Sequence, residues 1–140
     1  MSKPWLQLSL LGILMVFSIG CGRQDGPELA TVTGKITLDG QPLPRVNIRF
    51  IPQQQGGSPS FGGTYAEGQY RLLFNHHRAG AMLGPHRVEI EPAEPEQGED
   101  GKALPGVQVV KLPKKSIPSG GLTAEIKPGR NTVHFDLASR

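Results

Sequence analysis

Short runs in which apolar and polar residues alternate are the feature that most constrains what this chain can fold into. In the first run, at 30–40, Val32, Ile36 and Leu38 share one parity, whereas threonines and a lysine occupy the other. The same alternation returns in later runs, at 45–52, 86–92, 122–126 and 133–137. Side chains on a β-strand point alternately to opposite faces, so this period of two predicts strands with one face against a core.

Glycine and proline separate these runs. The chain of 140 residues contains nineteen glycines and thirteen prolines, the two residue types that least favour a helix. Pairs such as Asp39-Gly40 and Gly84-Pro85 are typical of turns. We therefore predict an all-β fold, a single antiparallel β-sandwich of about seven strands that spans residues 30–140.

Two hairpins are predicted within this sandwich. Residues 63–65 and 69–74 flank a short turn that contains Gly68, a residue that tolerates a positive φ. Residues 122–126 and 133–137 flank the turn 127–130, and we expect them to pair with each other as the closing hairpin.

The first 21 residues have the three parts of a signal peptide. Lys3 precedes an apolar run from Trp5 to Ile19, and the chain then reaches its only cysteine, Cys21. The run has about 15 residues, fewer than the ~20 that cross a bilayer, so a retained transmembrane helix is the weaker interpretation. We predict a signal peptide at 1–20 and a secreted chain that begins at Cys21.

The end of this segment resembles a known processing site. Residues 17–21, FSIGC, resemble the lipobox of bacterial lipoproteins, although Ser18 and Ile19 differ from its usual residues. The resemblance implies that Cys21 is the lipid attachment site and carries acyl chains such as palmitate. Two or three such chains anchor a protein stably in a membrane. The alternative is an ordinary cleavage site, after which Cys21 would remain a free thiol.

The residues after the cysteine bear on localisation. Gly22, and not an aspartate, follows Cys21, and in bacterial lipoproteins this implies the outer membrane rather than the inner one. Glycine, proline and charged residues make up most of the stretch that follows, so we predict that 21–29 are the lipidated cysteine and a flexible tether. The domain is then held at the cell envelope.

Three stretches carry a resemblance to a known domain family. They are VTGKITLDGQPLP at 32–44 with the strand at 49–52, GTYAEGQYRL at 63–72, and GAMLGPHRVEI at 80–90. Their order resembles that of the carboxypeptidase regulatory-like, or transthyretin-like (prealbumin-like), β-sandwich domains of bacterial envelope lipoproteins. The family's usual Asp-x-x-Gly turn is altered here to Tyr-Ala-Glu-Gly at 65–68. The resemblance implies a fold and not an activity.

The sequence favours a non-catalytic domain. It lacks a convergent Ser/His/Asp, Cys/His or paired-acid set. Hydroxyisourate hydrolases share the transthyretin-like topology, but they end in Tyr-Arg-Gly-Ser, whereas this chain ends in Leu-Ala-Ser-Arg at 137–140. We expect no enzymatic activity.

No metal, cofactor or nucleic acid is expected as a ligand. The four histidines, His76, His77, His86 and His134, lack metal-ligand spacing. The acidic residues of 93–106 lack the register of a calcium loop, and we expect this segment to be an exposed loop. Beyond Lys3, fourteen Lys and Arg are scattered among twelve Asp and Glu, with no basic stripe for a phosphate backbone.

These features predict a lipid-anchored, non-catalytic envelope domain with a structural or protein-interaction role. Its expected partners are the membrane, through the acyl chains, and other envelope proteins or glycans. The alternative is a carbohydrate-binding module at the cell surface that stacks sugars on exposed aromatic side chains. Phe61 and Tyr65 are the candidate ligand-binding residues, because the only tryptophan, Trp5, lies in the signal peptide.

Overall fold

The structure of this chain is a computed structural model. It describes residues 26–103 and 110–139. The predicted signal peptide, Cys21 and most of the tether lie outside these residues, so the predictions about them stay predictions. Within the two described segments, no helix is long and apolar enough to cross a membrane.

The described residues form a sandwich of two β-sheets. Ten strands build it, and one 3₁₀ turn precedes the eighth strand. The strands are β1 (Leu29–Leu38), β2 (Gln41–Pro42), β3 (Val46–Pro52), β4 (Ser60–Gly63), β5 (Gln69–Arg71), β6 (Ala81–Met82), β7 (Gly84–Pro92), β8 (Leu122–Ile126), β9 (Arg130–Thr132) and β10 (Phe135–Leu137). The 3₁₀ turn is Lys114–Ser116.

The first sheet is built around β1. One edge of β1 pairs in antiparallel fashion with β6, β5 and β2, and the other edge pairs in parallel with β9 and β10. The parallel pairs arise because the chain crosses between the sheets after β8 and does not turn back along a neighbour. The predicted β-sandwich is confirmed. The described residues hold ten strands rather than about seven because five short segments share β1.

The second sheet has the order β4-β3-β7-β8 and is antiparallel throughout. Its inner face carries Val46, Ile48 and Phe50 from β3 and Val88 and Ile90 from β7, as the alternation predicts. The odd-numbered residues of the same strands therefore form its outer face.

One of the two predicted hairpins is confirmed. Phe61 and Leu73 exchange two backbone hydrogen bonds, of 2.9 and 2.7 Å, and the N–H of Tyr65 donates to the carbonyl of Gln69 at 2.9 Å. This hairpin links the sheets, because β4 belongs to the second sheet and β5 pairs with β1.

The predicted closing hairpin is wrong. Strand β8 pairs with β7, whereas β9 and β10 pair with β1, so the intervening turn carries the chain from one sheet to the other. The side chain of Asn131 closes that turn. Its Oδ1 accepts the N–H of Lys127 at 3.0 Å, and its Nδ2 donates to the Lys127 carbonyl at 2.7 Å.

The core lies between the two sheets and is centred on Phe50. The ring of Phe50 lies 6.4 Å from Tyr70, 5.9 Å from His86 and 6.2 Å from Phe135, measured between ring centroids. Fifteen apolar residues of the described segments are buried. A Val, Leu, Ile or Phe side chain contributes about 1.5–3 kcal/mol when fully buried, which lets a small domain with a single cysteine fold without a disulfide bond.

Gly34 is the point where three segments of the first sheet meet. It lies on the inner face of β1, opposite Tyr70 of β5. The hydroxyl of Tyr70 donates a hydrogen bond of 2.7 Å to the backbone oxygen of Val133, between β9 and β10. Burial raises the pKa of the Tyr70 phenol, so the hydroxyl stays protonated as a donor. The missing side chain at 34 provides the space for this contact.

The acidic segment after β7 forms an exposed loop as far as the structure describes it. Glu94, Glu96, Glu99 and Asp100 are all exposed. A bridge between Gln97 and Ala103 closes a small turn within it. The prediction of an exposed loop is confirmed for 93–103.

Candidate functional site

A broad groove lies on the outer face of the second sheet. Its volume is about 740 Å³, within the range of about 300–1,000 Å³ that small-molecule sites occupy. The floor comes from β3, β4 and β7, and one wall comes from the residues that follow β5. We call it the Phe61 groove. The residues that line it are Asn47, Ile48, Arg49, Phe61, Gly62, Leu73, Phe74, Asn75, His76, Glu89 and Glu91.

One end of the groove is apolar. Phe61 and Leu73 are hydrogen-bonded neighbours across the hairpin, and their side chains are 51% and 49% exposed. Phe74 lines the groove beside them. Only three large hydrophobic side chains of the described residues are exposed, so two of the three lie side by side here. Adjacent exposed apolar side chains are typical of a binding surface.

The wall of the groove is a turn held by side-chain hydrogen bonds. Oδ1 of Asn75 accepts the backbone N–H groups of His77 and Arg78 at 2.9 and 2.8 Å. The guanidinium of Arg78 lies 5.7 Å from the centre of the Phe74 ring and donates to the carbonyl of Pro27 at 2.7 Å. The wall is therefore preformed, and it is joined to the residues that lead into β1.

The other end of the groove is charged. Arg49 and Glu89 are opposite each other on β3 and β7, and Arg49 donates to Oε2 of Glu89 through Nε, at 2.9 Å, and through Nη2. Nη2 of Arg87 forms an ion pair with Oε1 of the same carboxylate at 3.0 Å. The hydrogen bond from Arg49 to Glu89 raises the pKa of Arg49. Both oxygens of Glu89 are thus engaged, whereas Asn47 and Glu91 lie exposed beside the pair.

Tyr65 is not part of this groove. Its side chain is 71% exposed and lies on the outer face of the first sheet, near Lys35, Arg71 and His134. The structure therefore places the two predicted ligand-binding residues, Phe61 and Tyr65, on opposite faces of the sandwich. They cannot contact one small ligand together.

The histidines occupy four different surroundings. His76 lines the wall of the groove, and His77 is exposed next to it. Nδ1 of His134 accepts the backbone N–H of Lys35 at 3.1 Å, on the first sheet. His86 is fully buried beside Phe50. No group of three His, Cys, Asp or Glu in 26–103 or 110–139 is arranged to hold a metal ion.

The burial of His86 was not predicted from the sequence. Nδ1 of His86 donates to the carbonyl of Gly84 at 2.9 Å, while Nε2 is buried without a hydrogen-bond partner among the described residues. Burial lowers the pKa of this imidazole. The alternation could have predicted this burial, because His86 has the same parity as Val88 and Ile90 and points into the core with them.

Comparison with known proteins adds little. No protein-family model matches the chain, and no curated protein matches it. Among solved structures, the crystal structure of a DUF3823 family protein from Parabacteroides merdae is similar over 80% of this chain. The identity is 14%, the TM-score is 0.44, and the match covers 47% of that protein. The chain therefore spans about half the length of that structure.

The other residues of the groove could have been found from parity. Asn47 and Arg49 on β3, and Glu89 and Glu91 on β7, all have the outward parity of their strands. The sequence does not predict the strand register, which places Arg49 directly opposite both Glu89 and Phe61.

Proposed function

We propose that this chain is a lipid-anchored, non-catalytic domain of the bacterial cell envelope that binds another envelope component in the Phe61 groove. The observation that carries the proposal is the groove itself, a preformed surface in which apolar side chains are exposed. The carboxypeptidase regulatory-like assignment, export and acylation at Cys21 rest on the sequence motifs described above, as does placement at the outer membrane.

The chemistry of the groove supports binding rather than catalysis. Its lining within the described residues contains no serine, threonine, cysteine, lysine or tyrosine that could act as a nucleophile. Glu89 is held between two guanidinium groups, which occupy both of its oxygens. The imidazole of His76 is on the wall, across the apolar end from the acidic side chains. Because Glu89 is bound on both oxygens, Glu91 has no second free carboxylate beside it in the described lining, whereas glycoside hydrolysis uses a pair.

The anchor would place the groove near the bilayer. Five residues separate Cys21 from Pro27, and an extended chain spans at most about 3.6 Å per residue, so the tether reaches about 20 Å. Arg78 joins Pro27 to the Phe74 wall. The proposal therefore puts the wall of the groove on the side of the domain that faces the membrane.

The anchor is tested by labelling with an alkyne analogue of palmitate in a bacterial host that processes lipoproteins. We expect the wild-type protein to be labelled and to fractionate with membranes, because Cys21 supplies the only thiol. Cys21→Ser should be unlabelled and should keep the signal peptide. The double variant Ser18→Leu/Ile19→Ala, which restores the usual lipobox residues, is the matched control. Label on the control without label on the wild type would overturn acylation of the natural chain.

The groove is tested by photocrosslinking in intact cells. We expect Phe61→p-benzoylphenylalanine to give light-dependent adducts, because residue 61 lies in the groove. The same replacement at Tyr65, an exposed aromatic residue on the opposite face, should give few. Equal adducts at the two positions, or none at 61, would contradict recognition through the groove.

A further inference from the structure

We propose that the occupant of the Phe61 groove is a neutral polysaccharide chain of the cell envelope. This inference rests on the proposed function, because it names the ligand class of the same groove. It follows from what the floor offers to a ligand, from the chemistry of the two ends and from the charge of the lining.

The floor of the groove presents side chains to a ligand but no free backbone hydrogen-bonding groups. In the stretch that forms the floor, β3 is paired on both sides, with β4 and with β7, and Phe61 of β4 is paired in turn with Leu73. Their backbone N–H and C=O groups are therefore already hydrogen-bonded within the sheet. An extended peptide could not add to the sheet here, and it would leave most of its own backbone groups without partners. A ligand must be recognised through side chains alone.

The side chains at the two ends suit a sugar. A pyranose ring has a face of C–H groups and a rim of hydroxyl groups. Phe61 and Leu73 give the apolar end a half-exposed surface for the C–H face. The carboxylate of Glu91 and the amide of Asn47 provide acceptors and donors for hydroxyl groups. Asn75 adds a donor through Nδ2, because its Oδ1 is bound within the wall. The Asn47 side chain makes no hydrogen bond within the described residues, so its amide is available.

The charge of the lining selects against an anionic polymer. One guanidinium, that of Arg49, lines the groove together with the carboxylates of Glu89 and Glu91. Arg49 is already bound to Glu89. Arg87 supplies a second guanidinium on Glu89, and its charge balances that of Glu91, so these four side chains carry no net charge. A sulfated or phosphorylated chain would therefore find no net positive charge to offset the loss of its own hydration. A neutral ligand has no such charge to desolvate.

The length of the groove favours linked sugars. The lining runs across β7, β3 and β4 to Leu73, which is three strand spacings, or about 14 Å. This exceeds one pyranose ring. We therefore expect an oligosaccharide to bind and a monosaccharide to bind weakly.

The experiment is binding of the full-length protein, purified in detergent, to an array of glycans. The array carries neutral β-1,4-linked glucose, mannose and N-acetylglucosamine oligomers with their monosaccharides, together with heparin as an anionic polymer. We expect binding to at least one neutral oligomer series and not to heparin. Phe61→Ala should weaken that binding about tenfold or more. Asn47→Ala should weaken it by a smaller factor.

Tyr65→Ala is the matched control, because it removes an exposed aromatic side chain from the opposite face. It should leave the affinity unchanged. Circular dichroism of each variant checks that it is folded, which is expected because Phe61, Asn47 and Tyr65 are exposed. Equal loss on Phe61→Ala and Tyr65→Ala, binding to heparin only, or no binding to any glycan would overturn the inference.

The crosslinked adducts separate this inference from the proposed function. A polysaccharide partner should give adducts at residue 61 of heterogeneous size that glycosidases shorten towards the size of the free protein. A discrete adduct at 61 that glycosidases leave unchanged, together with no binding on the glycan array, would refute the saccharide and keep the groove as a recognition surface. No adduct at 61 would refute both.

Discussion

Replacing Gly34 with alanine should lower the free energy of unfolding by about 3 kcal/mol or more. The added Cβ would lie 1.7 Å from the backbone oxygen of Val133 and 2.7 Å from the Tyr70 ring. Both distances are far shorter than a van der Waals contact. To make room, β1 must separate from Val133, which breaks the hydrogen bond from Tyr70 and disturbs the pairing of β1 with β9 and β10. Urea denaturation, followed by circular dichroism, measures the change.

Gly120→Ala is the matched control for this variant. No atom lies within 4 Å of the Cβ that it would add, so its stability should stay within about 0.5 kcal/mol of wild type. Because the closer clash at 34 is with a backbone oxygen, removal of the Tyr70 ring in a double variant should not restore stability. A Gly34→Ala protein within about 1 kcal/mol of wild type would show that β1 and Val133 are not held as the structure has them.

Alternation predicted the strands well because each long strand has one buried face. β1, β3 and β7 are all of this kind, and their inward residues are those that the sequence indicates. Pairing was harder, since a strand with one apolar face satisfies the pattern in either sheet. The prediction of a closing hairpin was wrong for this reason. Residues 122–126 and 133–137 alternate equally well whether they pair with each other or, as they do, with β7 and β1.

The site was predictable only in part for the same reason. Phe61 was a candidate because it is an aromatic residue that the alternation leaves outside the core. The residues that lie beside Phe61, such as Leu73 and Arg49, are set by how β4 pairs with β3 and with the segment after β5. No local sequence pattern specifies that pairing. Tyr65 was a candidate for the same reason as Phe61, and it lies only four residues further along the chain. The hairpin between them passes from one sheet to the other, so the distance along the chain did not translate into a shared surface.

His86 should make the stability of the protein depend on pH between neutral and mildly acid conditions. Burial lowers the pKa of its imidazole, and the hydrogen bond to the Gly84 carbonyl and the charge of Glu125 oppose this shift more weakly. A second proton would have to enter on Nε2, which is buried without an acceptor. The folded protein therefore binds fewer protons at this residue than the unfolded chain does. As the pH falls below about 6.5, the free energy of unfolding should decrease, by up to about 1.4 kcal/mol per pH unit.

The contribution of His86 to this pH dependence can be separated from that of the carboxylates by comparing how steeply the free energy of unfolding changes with pH in wild type and in a variant. The free energy of unfolding of wild type and of His86→Leu is measured by denaturation at several pH values between 7.5 and 5. It should change less with pH in the variant, whatever the variant's absolute stability, because leucine cannot take up a proton. His77→Gln, a replacement at an exposed histidine, is the matched control. An equal slope in wild type and His86→Leu would mean that His86 is protonated as easily in the folded protein as in the unfolded chain. The buried position beside Phe50 would then be wrong, because a charged imidazole cannot remain there without a partner for Nε2.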